Sequence, residues 1–492
     1  MPTSKPTRFS PPHERADAPN ARGSRSRFGL SPGLALKGEA TEPSQRVSLT
    51  TKLILLVPLL TILLGTLGRC LFETPCLNGS DEAGYYAWQQ SWLVDRDLDP
   101  SNQLVDSFAG GFAHWTDIDG RRVILNKYNT GLSQAIIPVT ALTRGAEMLS
   151  NRLLGTTFPT DGLSAWDIRA AWFAVALWSC AGIVCTFATV RASTRDPTLA
   201  ALATTFAWLG SAAFAHTWKM SLWSHGVGLS LVAIVTWLCV RITRPSTPFA
   251  RSLSIAGVIG LLGGLALVLR NTNALVLAPA GIYVAASMAR HGKAGFVRFL
   301  TGSAVACVIA TIPVGIELLT RKTVYGEWFF DAYRAQGEGF FWPPPHVSAV
   351  LFHTDFGPIG DGRGIVIAHP IVVIGLIGLL LLTRQPSWPL KLYGVTGVLA
   401  FIGLLLTYAA WWFWDLGFSF GARWSADLLT LLAVGIASFV ACVHQQRRWR
   451  CVYYLLPLCV WSLVYCSGAL APTGAKRTPP PDRPLPHEIA PP

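Results

Sequence analysis

Charge is scarce in this sequence: Asp, Glu, Lys and Arg make up 14% of its 492 residues, whereas 51% are hydrophobic and mean hydropathy is +0.40. So few charges cannot coat a soluble globule of this size, and the shortage points to a polytopic membrane protein. Also missing are a P-loop, a GxGxxG fingerprint, HExxH and any CxxC pair, which leaves nucleotide hydrolysis and zinc-peptidase chemistry without support. Most of the ten cysteines (Cys180, Cys185, Cys239, Cys307, Cys442, Cys459, Cys466) fall inside apolar segments, where they read as small buried side chains. Only Cys70 and Cys76 flank a loop in which a disulfide is open. The apolar runs are long rather than short and alternating, so they predict helices and not barrel strands.

Acids are fewer than bases, giving a formal net charge of +13. The bases lie in short clusters between apolar runs, a pattern of membrane topology rather than a nucleic-acid surface. Eleven spans are predicted, at about 52–69, 166–190, 198–215, 222–240, 253–269, 272–289, 299–319, 364–383, 391–410, 425–443 and 451–467. Residues 1–48, rich in Pro, Ser and Arg, read as a disordered basic arm, and the first span as an uncleaved signal-anchor with a cytoplasmic N-terminus. The connections then alternate: the five inner ones carry thirteen basic residues against the single acid Asp196, and residues 71–130 of the first outer loop have nine acids against four bases. That is the positive-inside arrangement of a multi-pass plasma (inner) membrane protein, with residues 49–467 as the membrane domain and 468–492 as a Pro-rich disordered tail outside.

The outer side holds the chemistry. In the first outer loop (71–165), Asn78-Gly79-Ser80-Asp81-Glu82-Ala83-Gly84-Tyr85-Tyr86 opens a helix on which Asp81, Tyr85, Trp88 and Trp92 share a face. Ser80 can cap that helix and its acids can serve the dipole; equally, a carboxylate held at the membrane surface can act as a general base or metal ligand. Tyr85–Trp92 and the segment 131–148 both read as amphipathic helices lying in the interface. A second outer loop (320–363) has an aromatic rim, and a third contains Gly417-Phe418-Ser419-Phe420-Gly421-Ala422-Arg423. Asp81, Glu82, Asp97, Asp99, Lys127, His225, Arg270, His353 and Arg423 all fall on this side. Arg270, in a tight outer turn, opposes the positive-inside bias and is explained equally by snorkelling or by a bound phosphate. Acids together with outer cations suit a carboxylate that deprotonates a nucleophile while cations hold a departing phosphate.

The Asp81-Glu82 helix, Asp97-Leu98-Asp99, Lys127 before an interfacial segment, Leu222-Trp223-Ser224-His225, Leu269-Arg270-Asn271 and the stretch ending at Arg423 together resemble the GT-C superfamily of polytopic glycosyltransferases over about residues 52–467. These include protein O-mannosyltransferases, aminoarabinose transferases and galacturonosyltransferase-like bacterial proteins. The resemblance implies an all-α integral membrane protein whose active site faces the extracytoplasmic side. It implies a polyprenyl-phosphate-linked sugar donor and a lipid, glycan or protein acceptor. Asp81 would be the base, with Glu82 as its neighbour, and Lys127, Arg270 and Arg423 would contact the donor phosphate, His225 being a further candidate. A divalent metal between Asp81 and Asp97 or Asp99 stays open, although acids in Asp95-Arg96-Asp97-Leu98-Asp99-Pro100 are commonly turn residues. Where the aminoarabinose transferases have Lys-Pro-Pro, this chain has Lys127-Tyr128-Asn129, so the lysine matches and the prolines do not. The rival readings are a transporter or lipid flippase, which predicts midplane charges and an internal repeat, and a non-catalytic assembly protein.

Overall fold

The computed structural model describes residues 47–77, 79–106, 114–118, 120–220, 222–353, 364–412, 414, 422–444 and 448–467. The basic arm, apart from its last two residues, and the Pro-rich tail lie outside them. In chain order the helices are α1 (Leu49–Phe72), α2 (Gly79–Gln90), α3 (Ser101–Asp106), α4 (Gly131–Leu154), α5 (Ala165–Thr194), α6 (Pro197–Leu209), α7 (Ala213–His216), α8 (Ser224–Ile242), α9 (Phe249–Leu269), α10 (Asn273–Ala289), α11 (Gly292–Tyr325), α12 (Ala332–Ala335), α13 (Val347–Phe352), α14 (Ile365–Ala368), α15 (Ile371–Leu381), α16 (Trp388–Ala410), α17 (Leu429–Val443) and α18 (Val452–Cys466). Several begin where the sequence signals a start. The Ser48 hydroxyl accepts from Thr51 N (3.2 Å) ahead of α1, and Ser164 accepts from Asp167 N (2.9 Å) ahead of α5. Asp196 accepts from Thr198 N and Leu199 N ahead of α6, with Pro197 in the first turn.

All eleven predicted runs are helical. Eight are long and apolar enough to cross a membrane: α1, α5, α8, α9, α11, α16, and the segments Arg423–Val443 and Trp449–Cys466 that contain α17 and α18. The other three, Pro197–Leu209, Asn273–Ala289 and Ile371–Arg384, are shorter. Two runs differ in detail from expectation. The one at 198–215 stops at Leu209, and the one at 364–383 is split into α14 and α15 at His369 and Pro370. A residue before proline is pushed out of helical geometry, and His369 has φ −134° and ψ 66°. α17 is the central helix, packed against α5, α6, α8 and α15, with 78% of its apolar window buried. α1 and α11, at 22% and 11%, present most of their surface outward. None of the described cysteines is in a disulfide, Cys70 and Cys76 included.

The first outer loop departs most from its sequence pattern. It contains a small antiparallel hairpin, β1 (His114–Ile118) against β2 (Arg121–Leu125), with His114 opposite Leu125. α2 is not an interfacial helix with one wet face: every residue from Glu82 to Ser91 is buried. It begins at Gly79, so Ser80 falls in the first turn rather than at the cap. α4 does have the predicted amphipathic character, its N-terminal half burying Leu132, Ala135 and Ile136 while Leu142, Leu149 and Leu153 are exposed.

Candidate functional site

Asp81 stands at the mouth of buried α2, where its side chain keeps 23% exposure. Its Oδ1 accepts a hydrogen bond from the Tyr128 hydroxyl (2.7 Å), and its Oδ2 pairs with Arg423 Nη1 (3.1 Å) across 342 positions of sequence. The carboxylate therefore has fixed partners and remains reachable from solvent, the condition a general base needs. Glu82, by contrast, is buried, at 1% exposure.

Tyr128 is held by the loop between β2 and α4. Asn126 Nδ2 donates to the Gly84 carbonyl (2.8 Å), Asn126 N donates to the Tyr325 hydroxyl (3.0 Å), and Trp88 Nε1 donates to the Tyr128 carbonyl (2.7 Å). Asn129 Nδ2 reaches the Val268 carbonyl near the end of α9 (2.8 Å). On the other side, Glu317 of α11 caps α4 by accepting from Thr130 N and Oγ1 (2.8 and 2.7 Å), and is itself paired with Arg321 (2.6 Å). The side chains of Tyr128 and Asn129 thus bind Asp81 and α9 respectively.

Two glycines make this approach sterically feasible. A Cβ on Gly131 would stand 2.4 Å from Leu269 N, next to Arg270, and one on Gly84 would stand 2.1 Å from Tyr128 Cδ2. Gly84→Ala is therefore expected to displace Tyr128 from Asp81 and to destabilise the fold by about 1–3 kcal/mol through overpacking. Thermal unfolding of the purified protein beside wild type checks this; an unchanged melting temperature would contradict the packing.

The cations arrive from separate segments. Arg270, just beyond α9, donates to the Tyr408 hydroxyl and to Ser224 Oγ (3.3 Å), lies 2.7 Å from His225 Nε2, and faces Asp427 Oδ2 at 3.6 Å. That last separation is a charge pairing rather than a hydrogen bond. Burial acts to lower the Arg270 pKa, but Tyr408 and Asp427 more than offset it, so the guanidinium is held charged. His225 Nδ1 lies 3.4 Å from the same Asp427 oxygen. Lys127 pairs with Glu338 of the second outer loop and lies 5.7 Å from the ring centres of both Tyr128 and Tyr333. Arg423 lies over Trp223 at 4.9 Å. The Tyr85 phenol is pushed up to about 12, chiefly by burial; Arg270 and Arg423 act to lower it and Asp81 to raise it. Tyr333 is likewise raised by burial, with Tyr85, Glu338, Arg270 and Asp81 all bearing on it. The Tyr85 and Tyr128 rings, 4.9 Å apart, connect the Asp81 carboxylate to this group of aromatic side chains.

Asp97 and Asp99 are not part of it. Asp97 Oδ1 accepts from Ser91 Oγ (2.6 Å) and Asp99 N (3.2 Å), and Asp99 Oδ1 accepts from Ser101 N (3.0 Å) and Oγ (2.6 Å), which are local turn bonds. Among the described residues no three His, Cys, Asp or Glu side chains are grouped to hold a metal ion. With Asp81 engaged by Tyr128 and Arg423, these residues do not fit a divalent-metal site shared by Asp81 and Asp97 or Asp99. His353 is stacked edge-on against Trp414 (5.6 Å). Four site residues carry no motif: Tyr128, Glu338, Tyr408 and Asp427. Of these only Asp427 has a signal, being a lone acid at the start of an apolar run.

No protein-family model and no curated protein matches the sequence. Solved structures do. An oligosaccharyltransferase from Archaeoglobus fulgidus, in complex with Zn and sulfate, superposes with a TM-score of 0.50 at 12% identity, over 85% of this chain and 53% of that one. ArnT from Cupriavidus metallidurans bound to undecaprenyl phosphate gives 0.42 at 15% identity, over 81% and 61%. The archaeal oligosaccharyltransferase AglB from Archaeoglobus fulgidus, in complex with an inhibitory peptide and a dolichol-phosphate, gives 0.42 at 10%, over 86% and 56%. The chain spans about half to three fifths of the length of these proteins. Identity this low speaks to architecture alone: the chain shares the polytopic fold of the archaeal oligosaccharyltransferase.

Proposed function

We propose that the chain is a glycosyltransferase that moves a sugar from a polyprenyl-phosphate donor to an acceptor hydroxyl, on the membrane face opposite its basic loops. The observation that carries this reading is the reachable Asp81 carboxylate, held by Tyr128 and Arg423. ArnT and AglB are described with undecaprenyl phosphate and a dolichol-phosphate; what supports the same lipid class here is a set of outer cations next to a base, within a chain of membrane-crossing helices.

In the reaction, the acceptor oxygen bonds to the anomeric carbon as the bond from that carbon to the phosphate oxygen breaks, with inversion. The hydroxyl proton passes to Asp81, and the electron pair of the broken bond leaves with the lipid phosphate. Arg270 and Lys127 stabilise the charge that develops there. Arg423 and the Tyr128 hydroxyl hold the carboxylate in position to take that proton.

Lys127 starts in an ion pair with Glu338, so donor phosphate has to displace that carboxylate. Glu338→Gln is therefore expected to lower the donor KM about two- to fivefold, the scale of a partly exposed ion pair, with kcat changed little. Steady-state transfer at graded donor concentration measures it; a raised KM would mean that Glu338 helps bind the donor.

The direct test is transfer from a panel of labelled polyprenyl-phosphate sugars in membranes that contain the protein. Release or transfer of label above control membranes is the expected result. Movement of labelled lipid between leaflets with no bond cleavage would instead make the chain a flippase.

A further inference from the structure

The C-terminal half of α4, remote from Tyr128, meets the start of α5 through two acids. Glu147 and Asp167 are 6% and 2% exposed. Ser164 joins them: its hydroxyl donates to Glu147 Oε1 (2.5 Å) and accepts from Asp167 N (2.9 Å). That serine has one hydrogen to give, and Glu147 takes it. Glu147 Oε2 and Asp167 Oδ2 are buried with no hydrogen-bond donor among the described residues, although Asp167 is near enough to Glu147 to serve as its hydrogen-bond partner. Two ionised carboxylates cannot make that bond, since neither carries a hydrogen. One proton shared between them makes it and removes a buried pair of like charges.

The neighbouring groups do not supply what is missing. Arg144, one turn before Glu147 on α4, donates to the Thr160 carbonyl, and its Nη1 stays 4.0 Å from Asp167 Oδ2, beyond hydrogen-bond reach. Asp161 of the connecting loop brings another negative charge to bear on Asp167. From α2, the Tyr86 hydroxyl is spent on the Gly162 carbonyl (2.9 Å). Burial raises the Glu147 pKa and Asp167 adds to the rise, against the Ser164 bond and Arg144. Among the described residues no third acid, histidine or cysteine joins the two carboxyls as a metal ligand.

What this pair holds in place reaches the helix of Asp81. The loop at 155–164 is tied to α4 by Asn151, whose Oδ1 accepts from Phe158 N (2.8 Å) and whose Nδ2 donates to the Phe158 carbonyl (2.9 Å). It is tied to α2 by Tyr86 and by Gln90 Nε2, which donates to the Asp161 carbonyl (3.1 Å). We propose that Glu147 and Asp167 share one proton and form a pH-sensitive latch, which fixes this loop against α2 and α4 while the proton is present and releases it when both carboxyls ionise. Because the folded state holds the proton more tightly than the opened one, the latch is firmest below the ordinary carboxylate range and weakens as pH rises through the raised Glu147 pKa.

Hydrogen exchange of the full-length protein in nanodiscs, read by mass spectrometry across a pH series and corrected for the intrinsic pH dependence of exchange, tests this. Protection of residues 156–168 is expected to fall by up to tenfold per pH unit above the ordinary carboxylate range, the slope for release of one proton, while α17 stays protected. Glu147→Gln keeps an oxygen for Ser164 and brings the missing N–H to Asp167, so it should remove the slope; Asp167→Asn brings the same hydrogen from the other side. A flat wild-type profile, a fall shared by α17, or a wild-type slope retained in both variants overturns the proposal. So does calcium that restores protection at alkaline pH, since a cation would then stand in the proton's place. The wild-type profile decides even if neither variant folds.

Discussion

Asp81→Asn is expected to lower sugar transfer by about two to four orders of magnitude, the usual contribution of a positioned general base, in protein that folds and reaches the membrane normally. Asparagine keeps the size of the side chain and still offers an oxygen to the Tyr128 hydroxyl, but it cannot take a proton from the acceptor. The ion pair with Arg423 is partly buried, its side chains 23% and 11% exposed, so its loss lowers the melting temperature to some extent. Rate and stability should still separate: kcat falls by orders of magnitude with donor KM nearly unchanged, while the protein stays folded. Transfer assays at matched expression, with melting curves on the same samples, give the answer. Equal turnover in wild type and variant would return Asp81 to the structural task of fixing Tyr128 and Arg423.

The second large effect is expected at Arg270. Arg270→Ala leaves Asp427, whose side chain is 4% exposed, as a buried charge facing no cation at 3.6 Å, and breaking a buried pair from one side costs about 3–5 kcal/mol. The hydrogen bonds to Tyr408 and Ser224 are lost with it. Transfer should fall because the developing phosphate charge loses a fixed cation. Stability and activity can be separated by adding Asp427→Asn to the same chain. Removing the orphaned charge should recover most of the melting temperature while transfer stays low. If the double variant regained transfer, Arg270 would be only the counter-ion of Asp427 and would have no role toward the donor.

The residues of the site differed in how far local sequence could reveal them. Asp81 stood out because a charge heading an aromatic helical face needs a reason, and Arg270 because it opposed the charge bias of the loops. Lys127 and Arg423 lay in stretches that carried the family resemblance. Asp97 and Asp99 had acids in the right region, but their short spacing with Ser91 and Ser101 closes turns instead. Glu82 follows Asp81 in sequence and faces elsewhere, since neighbours on a helix point in different directions. Tyr128, Tyr408 and Glu338 had no signal at all, because an aromatic or acidic residue in an outer loop looks the same whether it meets solvent or a buried arginine. α2 misled for a related reason. Its periodicity describes one apolar side, but the hairpin, α3, α4 and the second outer loop supply cover that no pattern within α2 can reveal.

The sequence by itself determined where the apolar helices lie along the chain, where several of them start, and the basic character of the loops between them, because hydropathy, capping and charge are local properties that each segment carries wherever it is placed. Only the tertiary structure decided which carboxylate meets which cation: Asp81 with Arg423, Asp427 with Arg270, Glu338 with Lys127. Those pairings span up to 342 positions, and a charge interaction falls off over a few ångströms, so they exist only once the packing of α2, α8, α9 and α17 has brought the ends of separate helices together.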